Sequence, residues 1–149
     1  MQQSSEPRPT VRIEGSEPLL LPWDVAPEAI PFDVVRGPLA FECASGDRIE
    51  REYVGITVVD LLDAVAAPGE TTHVQFESAN GDRACIPLSD LSDAILALGE
   101  GPGTAPGRPR FVSPHVLGPR TVKNVCRVRP LALAAGADRE AYEALPLDD

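Results

Sequence analysis

Phe41-Glu42-Cys43-Ala44-Ser45-Gly46-Asp47, followed by Tyr53-Val54-Gly55-Ile56-Thr57-Val58-Val59-Asp60-Leu61-Leu62, sets Cys43 as punctuation between two structured pieces. An alternating run enters Cys43, a Gly-containing turn leaves it, and a helix start follows with Asp60 in its first turn. The cysteine is therefore expected where a strand stops and a loop opens, and a thiolate in such a place can bind a soft metal. Residues 57–67 put Val58, Leu61, Leu62 and Val65 at the i, i+3, i+4, i+7 spacing of an amphipathic helix, and Pro68-Gly69 stops it.

Working outward, residues 32–42 and 10–14 read as strands, with Gly15-Ser16-Glu17-Pro18 as a turn after the first of them. Residues 22–31 read as loop plus a helical turn beginning at Pro27 and Glu28. Downstream, residues 72–77 and 83–87 alternate around Asn80-Gly81-Asp82, which predicts a hairpin. Residues 89–98 carry Leu91, Ile95 and Leu98 at helical spacing between a Ser89 cap and Gly99, which predicts a second helix. The run 99–109 holds four Gly and three Pro and is expected to be an irregular loop. Strands at 110–113 and 121–129 close the domain. This order, strands with inserted helices and no βαβ periodicity, predicts an α+β fold built on a mixed β-sheet. The expected organisation is a disordered stretch at 1–9, one domain at 10–133, and an acidic tail at 134–149 with one short helix.

Composition bounds the function. The 149 residues and 43% hydrophobic content suit one domain with an adequate core. No apolar run approaches the ~20 residues of a membrane span, and neither a signal pattern nor a twin arginine opens the chain, so a soluble, cytoplasmic protein is expected. There are 23 acidic residues against 13 basic ones, giving a net charge of −10, and Lys123 is the single lysine among twelve arginines. That balance disfavours nucleic acid and anionic membranes as partners and matches a salt-adapted, halophilic surface. The three cysteines are odd in number and widely spaced, and His73 and His115 stand at no ligand spacing, which argues against disulfides and zinc. Cys85, between Ala84 and Ile86 in an apolar strand, and Cys126, between Val125 and Arg127, read as small core residues, which leaves Cys43 as the candidate reactive thiol. Gly99-x-Gly101-x-Gly103 opens no helix and so makes no phosphate loop.

Three blocks carry a family likeness: the Cys43 stretch above, Gly107-Arg108-Pro109-Arg110-Phe111-Val112-Ser113-Pro114, and Gly118-Pro119-Arg120-Thr121-Val122-Lys123-Asn124-Val125. With residues 74–88 between them, they resemble the molybdopterin-binding oxidoreductase domain of the sulfite oxidase family over roughly residues 10 to 130. The resemblance implies a molybdopterin cofactor with Cys43 as thiolate ligand to the metal, and Arg110, Arg120 and Lys123 as cations for the phosphate-bearing pterin. It implies two-electron oxygen-atom transfer on a small oxyanion or an S- or N-oxide, with an external electron carrier or partner subunit, since no heme or iron–sulfur cysteine pattern is present. The chain departs from the family where Pro106-Gly107 stands for its His-Gly, and where the Gly/Pro run from Gly99 replaces its Asn-Gly approach. Nor has the family's long N-terminal portion a counterpart here. These departures support an alternative, a degenerate cofactor-free member acting as a binding or interaction module.

Overall fold

The computed structural model describes residues 10–23, 29–42, 46–100, 106–116 and 120–145, with the backbone alone for Phe41, Glu42, Ile49, Glu100 and 106–108. Nine strands and one α-helix form among the described residues: β1 (Thr10–Ile13), β2 (Leu19–Pro22), β3 (Val35–Glu42), β4 (Arg48–Thr57), α1 (Val58–Ala64), β5 (His73–Ser78), β6 (Arg83–Pro87), β7 (Ile95–Glu100), β8 (Pro106–Val112) and β9 (Val125–Leu131). They make two sheets, ordered β2-β1-β9-β5-β6 and β3-β4-β7-β8. Only β1 and β9 pair in parallel among these strands.

Alternation decides which face each sheet buries. Val11, Ile13, Leu21, Val74, Phe76, Ala84, Ile86 and Val128 of the first sheet meet Ile56, Leu96, Leu98 and Phe111 of the second in one core. Phe76 and Phe111 stack across it with ring centroids 4.0 Å apart and planes 15° apart. Helix α1 follows β4 without a break, because the Thr57 hydroxyl accepts the Asp60 N–H at 3.3 Å and so caps the first turn. Its Leu61 and the following Val65 enter the core. Gly15 lets the chain after β1 lie on that helix end, since a Cβ there would stand 2.5 Å from the Val65 carbonyl oxygen. Among the described residues, no helix is long and apolar enough to cross a membrane.

The helix after Thr57, the strands at β1, β3 and β5, and the β5–β6 hairpin around Asn80-Gly81-Asp82 stand where their patterns put them. Several expectations do not hold. The mixed sheet is two sheets. Residues 89–98 form no second α-helix: a short 3₁₀ turn, Leu88–Asp90, leads into β7. Ala94 to Gly99 are buried without interruption, so this run needs cover on both faces, which a central strand receives and an amphipathic helix does not. The Gly/Pro run 99–109 belongs at both its ends to paired strands, with Gly99 opposite Pro106. Finally, the turn after Cys43 leads not to the helix but to the ten-residue β4, whose pairing with β3 runs from Val35↔Gly55 to Glu42↔Arg48. The charged residues Glu50, Arg51 and Glu52 hide the period-two signal of that strand. The helical turn expected at Pro27 and Glu28 and the disordered stretch at 1–9 lie outside the described residues.

Gly55 has a packing reason. At the register shift between Val54 and Gly55, β7 runs so close that a Cβ would overlap the Leu96 carbonyl oxygen and lie 2.8 Å from the Ala97 Cα. These are backbone atoms of a central strand and have nowhere to go. Gly55→Ala is therefore expected to lower stability by about 2–3 kcal/mol, read as a lower urea midpoint. A midpoint equal to that of the parent would show that the strands can part without cost.

Candidate functional site

The cationic residues singled out in the sequence gather where β8 meets the crossover into β9. Arg110, half-buried on β8, forms an isolated antiparallel bridge with Lys123, and the next residue, Phe111, donates its N–H to Val122 O at 3.0 Å. Thr121 and Val122 are buried. Asn124 takes a left-handed conformation with φ 56°, which asparagine tolerates, and its carbonyl accepts the Ala79 N–H at 3.0 Å. That kink is why the segment expected as one strand over 121–129 becomes a bridge followed by β9. It also fixes where Arg120 and Lys123 stand.

The three side chains differ in what they do. Arg110 Nη2 donates to Thr121 Oγ1 at 3.0 Å and its Nε reaches Thr121 O at 3.4 Å. Lys123 is exposed to solvent. Arg120 points its fork at Glu143, with Nε 3.0 Å from Oε2 and Nη2 3.0 Å from Oε1. The Glu143 side chain is only 5% exposed, and Oε2 also accepts the Cys85 N–H at 2.9 Å. Cys43 lies outside the described residues; in the chain it stands between the end of β3 and the start of β4. Thus Arg110, Arg120 and Lys123 come to one crossover, with Lys123 open to solvent and Arg120 held by an internal carboxylate.

Glu143 is the residue sequence reading did not single out. It sits in the acidic segment just after a 3₁₀ turn, Arg139–Tyr142, and reaches Arg120 across 23 positions, a separation at which no local pattern operates. Burial by itself would raise its carboxyl, but hydrogen bonds from Arg120 and the Cys85 amide, with the charges of Arg120 and Arg139, outweigh burial and hold it below the ordinary 4.5. A carboxyl lowered in the folded state contributes stability above its unfolded value and loses it as pH falls through the folded value. Glu143→Gln is therefore expected to lower stability by about 1–2 kcal/mol at neutral pH. That deficit should narrow as the parent is acidified below pH 4.5. Urea unfolding at stepped pH checks this, and a deficit that does not change with pH would contradict it.

The other two cysteines fit the packing role expected of them. Cys85 is fully buried, and burial followed by the Glu143 charge pushes its thiol up to about 11. Cys126 is half-buried and raised for the same first reason, with Glu77 as the neighbouring charge. On the solvent face of the first sheet, Arg127 Nε bonds Glu14 Oε2 at 2.6 Å, with Arg12, Arg129 and Glu77 around them. His115 Nε2 stands 3.2 Å from Asp93 on the surface. Among the described residues, no group of three or more His, Cys, Asp or Glu could hold a metal ion.

No family model matches the chain, and no curated protein matches it in sequence. Among solved structures, the sulfane dehydrogenase SoxCD from Paracoccus pantotrophus is similar, with a TM-score of 0.70 and 21% identity. The match covers 88% of this chain and 40% of that one, so this chain spans about two-fifths of its neighbour's length. A likeness of this kind shows a shared fold, one that in the neighbour belongs to an oxidoreductase.

Proposed function

We propose that this chain is a reduced oxidoreductase domain of the sulfite oxidase type, which receives molybdopterin and carries out two-electron oxygen-atom transfer on a small oxyanion or an S- or N-oxide. The observation that carries the reading is the fold shared with a sulfane dehydrogenase over most of this chain. The three sequence blocks that resemble the molybdopterin-binding domain support the same reading.

The residues suit such a group unequally. Lys123 offers an exposed ammonium, and Arg110 stands across the bridge from it with its fork on Thr121. Arg120 suits an external anion only once Glu143 withdraws. In this reading Cys43 supplies a thiolate to the metal, while Lys123 and Arg110 neutralise the phosphate of the pterin. The bound cofactor supplies the redox chemistry, and the chain orients it and neutralises its charge. Electrons pass to or from an external carrier or partner subunit.

A charge reversal at the open position tests the anion role. Lys123→Glu is expected to cut the pterin recovered from purified protein at least about tenfold, since one favourable charge contact becomes a repulsion, while the exposed position leaves the urea midpoint close to that of the parent. Pterin retained at the parental level would remove Lys123 from the site. The second reading, a cofactor-free binding module, draws on one observation, the internal carboxylate seated on Arg120.

A further inference from the structure

Among the described strands, β6 is the last of its sheet, and its outward edge is closed by the segment that follows residue 138. Arg83 exchanges both main-chain hydrogen bonds with Ala144, at 2.6 and 2.9 Å. The Cys85 N–H donates to Glu143 Oε2, and the Cys85 carbonyl accepts from Arg139 Nη1 at 3.5 Å. Gln75 Nε2 donates to Tyr142 O at 2.8 Å from the neighbouring strand. The outward backbone groups of Arg83 and Cys85 thus find their partners in residues 139–144, a strap laid on an otherwise open strand edge.

The anchor of that strap has the chemistry of a receptor. Two N–H groups of the Arg120 fork and one backbone amide converge on a single carboxylate, the donor set that recognises oxyanions. Its occupant is a side chain tethered through residues 132–138, a connection with no strand or helix, largely exposed, that turns at Gly136 with φ 83°.

We propose that Arg120 and the Cys85 amide form an oxyanion site that the chain's own Glu143 fills, and that a phosphate group displaces Glu143 and releases residues 139–144 from β6. The proposal rests on the reading given above, in which Arg120 suits an external anion once Glu143 withdraws. A phosphate dianion brings more charge and more acceptor oxygens to the fork than a carboxylate does, so it can compete despite the tether. Release uncovers the edge of β6 and frees the backbone of Cys85, whose buried thiol has Glu143 and Arg139 as neighbouring charges. With Glu143 gone and burial relieved, that thiol becomes a better nucleophile.

The test is the rate at which a soluble aromatic disulfide labels Cys85 in the unmutated chain, read by peptide mass so that Cys43 and Cys126 are scored separately. Inorganic phosphate and a simple phosphate monoester are each compared with chloride at equal ionic strength. The expected result is a saturable increase of at least about tenfold in Cys85 labelling, with faster hydrogen exchange at the Arg83 and Cys85 amides. An increase with both probes identifies free phosphate as sufficient, and an increase with the monoester alone identifies the ester as the ligand. Glu143→Gln should label fast in chloride and respond little to phosphate. Equal Cys85 labelling and equal amide exchange in phosphate and chloride would overturn the proposal. Molybdenum content separates this from the function: a metal-loaded protein with Cys85 masked in phosphate removes the strap mechanism alone, and a metal-free protein that responds to phosphate removes the cofactor reading alone.

Discussion

Phe111→Ala is expected to lower the unfolding free energy by about 3–5 kcal/mol, out of the ~5–15 kcal/mol that holds a domain of this size together. Phe111 is fully buried on β8 and stacks on Phe76 of β5, so it joins the two sheets at the centre of the shared core. Truncation removes the ring's burial, its stacking and its dispersion contacts, and leaves a cavity that two hydrogen-bonded sheets cannot collapse to fill. The same backbone position donates to Val122 O and so holds the crossover bearing Arg120 and Lys123. Urea unfolding followed by far-ultraviolet circular dichroism measures the loss. Phe111→Leu, which keeps most of the apolar volume, should recover a good part of it. A deficit below about 1 kcal/mol for the alanine variant would mean that the sheets are not joined through this pair.

The second large effect is chemical. Cys43→Ser is expected to abolish molybdenum retention while leaving the unfolding free energy within about 0.5 kcal/mol of the parent. In the chain the residue stands between the end of β3 and the start of β4. Serine keeps the size of the side chain but replaces a soft thiolate by a hydroxyl that stays protonated at neutral pH and is a poor ligand for a soft site. Elemental analysis of the purified variant beside its parent checks this, and metal retained by the serine variant would remove Cys43 from the coordination shell.

What could be read in the sequence, and what could not, follows from how far apart the deciding residues lie. Val58, Leu61, Leu62 and Val65 marked α1 because their period is contained within eight residues. Asn80-Gly81-Asp82 marked the β5–β6 hairpin for the same reason, and Gly81 indeed takes a positive φ of 96°. The segment 94–99 misled because an apolar run buried on both faces carries no period, so helical spacing could be found in it by chance. Strand β4 was hidden by charges that its pairing with β3 accommodates, Glu42 opposite Arg48 among them. At the candidate site, Arg110 and Lys123 were legible as rare or motif-bound cations, and the structure brings them together. The Arg120–Glu143 pair was not legible, because its partner is set by a fold-back of the acidic segment onto β6.

Molybdenum binding is decided by plasma mass spectrometry on the parent protein, purified at high salt from a host that makes the cofactor. Close to one molybdenum per chain, accompanied by pterin, is expected. Folded, monodisperse protein without molybdenum under those conditions would contradict it.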